Sequence, residues 1–530
     1  MNDIDREKVE AHLLLMAQGK YEQVHASAIA LIHKNTRDPL PYFLLAKLCL
    51  DHQNYKKAAE LFEKSLMLDM QNEYALTYFA QTLTKLGEHA RAREYLTLAE
   101  KGQAQSAHLC DTIGVVHSIT GFHENALPWF RKAIQLDPEP VNYHFNLAAS
   151  LQFLGKFEDA EIAYKSVLRR QPSHYRALSA LVSLKKQTTQ DNIVDQLQKN
   201  FELYDDNPDA KLHLGHALAK IYEDLGDYSE SFTWLRKAKA DKLKASSTLD
   251  YKKIFTAAKG TVSKDTAFRG SASQRRFDIN DNEALRPIFI VGLPRTGTTL
   301  VDRILSSHQA VTAAGELNTF ANIVKKLAQT QSNLVMDTET FDASKKLDMD
   351  AIGQMYLEAT AELRRASRIF TDKMPLNFFY AGLIHQALPN ARIIVLRRHA
   401  MDSCLSNYRQ LLTVQHAYYN YTYDINSIAE FYRSFDDLIC HWRHHLPAER
   451  FLEVHYEDIV FDQVKQTKRL LDFCGLDWDE ACLRFHENTA AVSTASSVQV
   501  RKPLYSGSIG RWKRYGSQLD ELKLVLGDLL

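Results

Sequence analysis

The sequence predicts two kinds of fold in one chain: an all-α array of helical repeats, followed by an α/β domain built on a central parallel sheet. A 34-residue period of small residues in the first half predicts the array. Apolar runs that alternate with helical patterns in the second half predict the sheet. A glycine-bounded loop directly follows the first of these runs and predicts an anion-binding site at one edge of the sheet. We therefore assign residues 1–245 to the repeat array, 246–286 to a linker and 287–530 to the α/β domain. Within the linker, residues around 251–258 are expected to form a helix that packs on the array.

Length, charge and cysteine content narrow the class of protein. At 530 residues, the chain is long enough for two or more domains. Its 65 basic residues balance 65 acidic ones, so no overall field favours nucleic acid or an anionic membrane. No stretch approaches the roughly 20 apolar residues of a membrane span. The six cysteines form no Cys-x-x-Cys pair, and we expect free thiols in a reducing, cytoplasmic compartment, with neither nucleic acid nor membrane as a partner.

The repeats of the first half share one register. An alanine recurs at the same position of four successive units, at Ala58, Ala92, Ala126 and Ala160. A glycine precedes each of the last three alanines by five residues, and a large apolar residue follows every alanine by four. Small residues where paired helices touch, with glycine at the turn, are typical of the tetratricopeptide repeat. We expect four repeats over 39–172, a degenerate repeat before them and another over about 212–245.

An array of this kind can recognise another protein. Stacked helical repeats form an extended concave surface that can hold a peptide or a partner protein. We therefore expect the array to bind an acceptor protein or peptide. An array that only supports the second half, or that brings two copies of the chain into a homodimer, stays an alternative.

The loop after the first apolar run has the pattern of a phosphate-binding site. The run 288–291 ends at Gly292, and a helical pattern begins at Leu300. Glycines let backbone N–H groups turn inward, and the helix N-terminus adds partial positive charge. The spacing matches a Walker A loop, except that a threonine replaces the lysine that reaches the β- and γ-phosphates. This change argues against ATP or GTP and favours another anionic ligand, held by Arg295, Thr296, Gly297, Thr298 and Thr299.

Three further strands are predicted in the second half, at 368–371, 391–396 and 451–454. Helical patterns separate them, for instance 351–366, 376–388 and 426–445. The carboxyl ends of parallel strands meet at one edge of a sheet, where ligands of such sheets bind. Polar residues follow all four predicted strands, namely Arg295, Asp372 and Lys373, Arg397 and Arg398, and His455 to Asp458. The sequence therefore predicts a site for an anion at this edge.

Several separated motifs together resemble one enzyme family. Residues 294–300 read Pro-Arg-Thr-Gly-Thr-Thr-Leu, and Ser406 follows Arg398 by eight residues. On these motifs, residues 287 to about 515 resemble a PAPS-dependent sulfotransferase, closest in pattern to the tyrosylprotein branch; PAPS is 3′-phosphoadenosine-5′-phosphosulfate. With its repeats, the whole chain resembles the bacterial tetratricopeptide-repeat sulfotransferases. The resemblance implies a P-loop-like domain, PAPS as donor, PAP as product, and no requirement for a metal ion.

The resemblance also implies roles for individual residues. Glu316 corresponds without gaps to the family's catalytic glutamate, and Lys373 to the lysine at the sulfuryl group. Arg295 would act both in binding and in stabilising the transferring group. Arg398 and Ser406 correspond to ligands of the 3′-phosphate. A segment near the C-terminus resembles the one that closes over the nucleotide, and the remaining implied ligands are Tyr456, Ser496, Arg501 and Lys502.

The acceptor is less well defined than the donor. Asn318 stands where the tyrosylprotein branch carries an arginine, so tyrosine is one candidate acceptor among others. We expect transfer of a sulfuryl group from PAPS to a hydroxyl, on a protein or peptide in the first place. A glycan or a small hydroxyl compound is an alternative acceptor. Two alternatives belong to other classes of protein. One is a P-loop kinase or NTPase, and the other is a repeat scaffold that binds nucleotide without turnover.

Overall fold

The structure, a computed structural model, describes residues 3–102, 104–246, 249–262, 284–332, 334–364, 367–412, 417–488, 490 and 499–530. The chain divides into two compact units, Met1–Pro172 and Ser173–Leu530. The predicted domain boundaries at 245 and 286 stay a prediction. Ser496 and residues 263–283 of the predicted linker lie outside the described residues.

The first unit consists of helices joined by short turns. Eight of its helices form four antiparallel pairs in the predicted register, and the recurring alanines are fully buried between them. The described helices are α1 Asp3–Ala17, α2 Tyr21–Lys34, α3 Pro39–Asp51, α4 Tyr55–Leu68, α5 Glu73–Lys85, α6 His89–Glu100, α7 Ala107–Ile119, α8 His123–Leu136, α9 Val141–Phe153 and α10 Phe157–Arg170. This unit confirms the predicted all-α array.

Small residues set how closely the paired helices pack. Gly114 of α7 takes the position that alanine holds in the neighbouring repeats, and a Cβ there would lie 2.5 Å from Cε1 of Phe130 in α8. Gly121, at the turn between these helices, has a φ of 90°, a backbone conformation that residues with a side chain rarely adopt. The glycines therefore stand where close helix contact and a tight turn require them.

The second unit begins with five helices: α11 Tyr175–Leu184, α12 Val194–Leu203, α13 Pro208–Asp224, α14 Tyr228–Ala245 and α15 Tyr251–Lys259. The pair α13 and α14 is tightly packed, since a Cβ at Gly215 would lie 2.4 Å from the Cβ of Ala238. A helix was expected in the linker, packing on the repeats. Helix α15 instead packs on the α/β core, where the ring of Phe255 lies 4.6 Å from that of Phe379.

The core of the second unit is a five-stranded parallel sheet, which confirms the predicted α/β class. Its strands are β1 Arg286–Gly292, β2 Val311–Ala313, β3 Ile369–Asp372, β4 Arg392–Arg397 and β5 Phe451–His455. They lie in the order β2-β3-β1-β4-β5, and Phe289 of β1 is opposite Asp372 of β3. Four of these strands were predicted; β2 was not, because three residues are too few to show a period.

Helices cover the sheet. Among the helices of the described residues, none is both long enough and apolar enough to cross a membrane. The helix expected at 376–388 divides into a 3₁₀ helix, Pro375–Tyr380, and an α-helix, Ala381–Ala387, because a short apolar pattern does not separate a period of 3.0 residues per turn from one of 3.6. The α-helices are α16 Thr298–Ser306, α17 Thr319–Ala328, α18 Thr338–Ser344, α19 Met349–Ala359, α20 Ala381–Ala387, α21 Ala400–Arg409, α22 Ile425–His445, α23 Tyr456–Phe461, α24 Gln463–Cys474 and α25 Asp520–Leu526. The 3₁₀ helices are Pro375–Tyr380, Ala417–Tyr423, Glu480–Glu487, Arg511–Leu519 and Gly527–Leu529.

Candidate active site

The loop between β1 and α16 lies at the carboxyl edge of the sheet, where the strand order reverses. Two glycines shape it. A Cβ at Gly292 would lie 2.6 Å from the carbonyl oxygen of Leu396, and one at Gly297 would lie 2.8 Å from Cδ2 of Tyr456. Both residues also have positive φ angles, 147° and 106°. The loop can therefore approach its neighbours this closely only with glycine at both positions.

The loop ends at a helix start that is open to an anion. Gly297 is the N-cap of α16 and supplies no side-chain cap, while Thr298 and Thr299 are buried in the first turn. Uncapped N–H groups at a helix N-terminus favour a bound anion. The hydroxyl of Thr296 donates to the carbonyl oxygen of Leu293 at 2.8 Å, so in this structure it shapes the loop. Its role as a ligand contact stays a prediction.

Arg295 and Arg398 lie together at this loop. Nη1 of Arg398 donates to the backbone oxygen of Arg295 at 3.1 Å, and its Nη2 donates to that of Ser508. The guanidinium of Arg398 also lies 4.9 Å from the ring centre of Tyr456. Nη2 of Arg295 donates to Oε1 of Gln499 at 2.6 Å. The structure thus brings together three predicted site residues that lie far apart in sequence.

Electrostatics around Arg295 indicate a surplus of positive charge. The pKa of Arg295 is lowered to about 10, chiefly by burial; the charges of Arg398 and Arg511 act in the same direction, while Tyr505 and Tyr456 oppose them. Positive groups that depress one another's pKa are stabilised when an anion binds between them. Arg511 was not among the predicted site residues, because nothing near it in sequence marks it as part of this loop.

Ser406 is half-buried on α21, the helix that follows β4. Its neighbour Asn407 is 1% exposed and fixes that helix to the loop. Nδ2 of Asn407 donates to the backbone oxygen of Pro294 at 2.8 Å, and the hydroxyl of Tyr421 donates to its Oδ1 at 3.1 Å. Asn407 is therefore a positioning residue that the sequence did not reveal, since a polar residue within a helix has many ordinary explanations.

The C-terminal predicted ligands are only partly gathered at the loop. Arg501 is half-buried, and its charge adds to the burial that lowers the pKa of Arg303 to about 10. Lys502 is exposed, and its backbone N–H donates to the oxygen of Gln499 at 3.3 Å. The predicted contact of Lys502 with the nucleotide stays a prediction, as does that of Ser496.

Glu316 and Lys373, two of the three predicted catalytic residues, form an ion pair through Oε1 of Glu316 and Nζ of Lys373. Lys373 directly follows β3 and its side chain is only 2% exposed, whereas the side chain of Glu316 is 37% exposed. The backbone N–H of Lys373 donates to the oxygen of Gly315 at 2.9 Å, which holds the two segments side by side. The buried ammonium group of Lys373 and the accessible carboxylate of Glu316 therefore lie next to each other at the carboxyl edge of the sheet.

Two buried carboxyl groups lie beneath this pair. Asp302 accepts a hydrogen bond from the hydroxyl of Thr371 at 2.6 Å, and Asp372 accepts one from Tyr356 at 2.9 Å. Burial raises the pKa of Asp372 to about 8, although the hydrogen bond from Tyr356 opposes the shift. In the described part of the chain, no three His, Cys, Asp or Glu side chains are grouped to hold a metal ion.

Fold and site together define a parallel α/β domain, with a glycine-shaped loop before an uncapped helix start and a carboxylate–lysine pair at one edge of the sheet. Residues 287–480 match the sulfotransferase family, and residues 107–140, 141–174 and 216–240 match the tetratricopeptide repeat. The chain therefore carries a domain of the sulfotransferase family behind tetratricopeptide repeats.

Several individual proteins are similar to parts of this chain. An uncharacterized protein of Aquifex aeolicus is 27% identical over 75% of this chain and 51% of its own length. The protein-tyrosine sulfotransferase of Drosophila melanogaster is 24% identical over 45% of this chain and 49% of its own. The chain thus spans about half the length of these curated relatives. The tetratricopeptide protein YrrB, described as having an unusual peptide-binding site, is 19% identical over 34% of this chain and 95% of its own, with a TM-score of 0.29.

Proposed function

We propose that the protein is a PAPS-dependent sulfotransferase that moves a sulfuryl group to an acceptor hydroxyl. The observation that carries this proposal is the pairing of Glu316 with the buried Lys373 at the edge that also holds the anion-binding loop. The match of residues 287–480 to the sulfotransferase family supports the same reaction class. The missing lysine of the loop argues against a kinase or NTPase.

The residues present fit a donor with two anionic ends. The uncapped start of α16, with Thr298 and Thr299, would hold the 5′-phosphosulfate end. Arg398 would hold the 3′-phosphate together with Ser406, and its buried Nε has no hydrogen-bond partner among the described residues. A guanidinium group suits phosphate because its donors form a planar fork. The charges of these groups and of Lys373 make a metal ion unnecessary in this proposal.

The chemistry needs positioning and charge more than covalent help. Sulfuryl transfer resembles phosphoryl transfer, with in-line attack, a loose transition state and charge that gathers on the leaving oxygen. Glu316 would accept the proton of the acceptor hydroxyl as general base. Lys373 and Arg295 would stabilise the transferring group and the leaving phosphate. The ion pair keeps the Glu316 carboxylate next to the lysine until a sulfuryl group offers Lys373 another negative partner.

We infer a protein or peptide acceptor, presented by the repeat array. The presence of helical repeats and the names of the protein-tyrosine sulfotransferase relatives support this inference. Tyrosine is one candidate side chain, while Asn318 departs from the tyrosine-specific pattern. A glycan or small hydroxyl acceptor would leave the donor site unchanged.

Ligand binding tests the donor assignment. PAP should raise the unfolding temperature of the full chain in the presence of EDTA, because a ligand that binds only the folded state stabilises it. Adenosine 5′-monophosphate, which lacks the 3′-phosphate, is the matched control and should stabilise less. Thermal-shift titrations with both nucleotides, and with ATP plus Mg²⁺, make the comparison. Stabilisation by ATP with Mg²⁺ but none by PAP would reject the donor.

A further inference from the structure

Asp302 is a buried carboxyl group in the second turn of α16, next to the pair of Glu316 and Lys373. It is 7% exposed, and its Oδ1 accepts a hydrogen bond at 2.6 Å from the hydroxyl of Thr371, which is fully buried. Among the described residues, no cation forms a direct ion pair with this carboxyl group. Its charge is therefore available to act on neighbours that it does not touch.

The backbone of β3 places Asp302 and Lys373 on the same side of the sheet. The chain stays paired beyond the end of the strand, since the N–H of Lys373 donates to the oxygen of Gly315 at 2.9 Å. Side chains two positions apart on an extended chain point to the same side, so Lys373 and Thr371 both face α16. Asp372, between them, points to the other side, where it accepts from Tyr356.

The charges of Asp302, Lys373 and Glu316 act on one another. Burial raises the pKa of Asp302; the positive charge of Lys373 opposes this shift, whereas the negative charge of Glu316 adds to it. Asp302 is thus close enough to both members of the ion pair to influence them. The further titratable side chains around these three groups are Arg303 on α16, Asp372 on β3, Tyr356 on α19, and Tyr419, whose pKa the charge of Glu316 helps to raise.

The proposed reaction removes one charge from the ion pair. When Glu316 accepts the acceptor proton, its carboxyl group becomes neutral, at the moment when the leaving oxygen gains charge. The side chain of Lys373 is 2% exposed, and a buried ammonium group without a negative partner is costly to keep charged. A second carboxylate that takes no part in the proton transfer would offset this cost.

We propose that Asp302 is a positioning residue that keeps Lys373 protonated and oriented while Glu316 acts as the base. The proposal rests on the proposed function, because it takes Glu316 as the base and Lys373 as the cation at the sulfuryl group. It divides the work of the two carboxyl groups: Glu316 moves the proton, and Asp302 holds the charge of the lysine.

An NMR titration of the full chain, labelled with ¹³C at the Cε of lysine, tests the proposal without any nucleotide. The signal of Lys373 is assigned by its loss in Lys373→Met. In Asp302→Asn, Lys373 should lose its proton about one pH unit or more below the pH at which it does so in the wild type, because a nearby opposite charge favours the ammonium form. An unchanged titration of Lys373 would overturn the proposal.

Thr371→Val is the matched control for packing. It removes the hydrogen bond to Asp302 but leaves the carboxyl group in place, so Lys373 should titrate near the wild-type pH. The unfolding temperatures of both variants show that they are folded. If Thr371→Val shifts the titration as far as Asp302→Asn does, packing and not charge controls Lys373, and the proposal is wrong.

PAP titrations from neutral to alkaline pH connect this charge to the donor site. PAP affinity of the wild type should fall as Lys373 loses its proton, and in Asp302→Asn the fall should begin at lower pH. In the Lys373→Met background, Asp302→Asn should leave the pH dependence unchanged, because Asp302 acts through Lys373. The same pH dependence in wild type and Asp302→Asn would count against the proposal. If the wild type binds no PAP, the donor assignment is wrong, while the NMR titration still decides the role of Asp302.

Discussion

Replacing Glu316 by glutamine should lower turnover by about 10² to 10⁴, the range typical of general-base catalysis. Glutamine keeps the size of the side chain but cannot accept the acceptor proton. PAP affinity should stay near wild type, because Glu316 is proposed to act on the acceptor and not on the nucleotide. Turnover at saturating PAPS and a PAP titration together measure the two effects.

A matched control separates this effect from a general change of charge. Glu339→Gln makes the same substitution at an exposed glutamate in the first turn of α18 and should leave turnover unchanged. Glu316→Gln also leaves the buried Lys373 without its carboxylate, so the unfolding temperature of each variant needs to be compared. Full turnover by a folded Glu316→Gln variant would mean that another group is the base.

Replacing Arg398 by alanine should weaken PAP binding about 10- to 150-fold, which corresponds to the roughly 1.5–3 kcal/mol of a hydrogen bond to a charged group. The proposed contact exists in the ground state and the transition state alike, so turnover at saturating PAPS should change much less than affinity. Titration of the variant and of the wild type with PAP measures the difference.

The 3′-phosphate itself supplies the control for this prediction. Adenosine 5′-monophosphate lacks that group, so wild type should prefer PAP over it, and Arg398→Ala should lose most of the preference. This comparison is needed because Arg398 also donates to the backbone oxygens of Arg295 and Ser508, and its loss can loosen the loop. A variant that weakens both nucleotides equally would show that Arg398 only supports the loop.

Local patterns in the sequence predicted most of the fold. The 34-residue register predicted the four helix pairs of the first unit, and the longer apolar runs predicted four of the five strands. The three-residue strand β2 carries too little sequence to show alternation. The packing of α15 on the α/β core was missed as well, because an amphipathic pattern shows that a helix has a partner face without showing which partner it meets.

Motifs in the sequence supplied the candidate site residues, whereas contacts between distant residues gave no signal. Glu316 and Lys373 are 57 positions apart in the sequence and form an ion pair in the structure, while their catalytic roles stay a prediction. Asn407 and Asp402 hold the site through backbone groups of Pro294, Gly510 and Trp512, at separations of 108 to 113 positions. A polar side chain that binds a distant backbone group leaves no periodicity or spacing in the sequence, so such supports appear only in the structure.

Transfer of label from ³⁵S-PAPS tests the central claim most directly. The full chain would be incubated with labelled PAPS, EDTA and a lysate of its source organism, and labelled products would be identified by mass spectrometry. We predict that label enters hydroxyl groups of an acceptor, with one PAP released per sulfuryl group, and that Glu316→Gln abolishes nearly all of it. A wild-type protein that releases no PAP and transfers no label, while hydrolysing ATP with Mg²⁺ in the same preparation, would contradict the account.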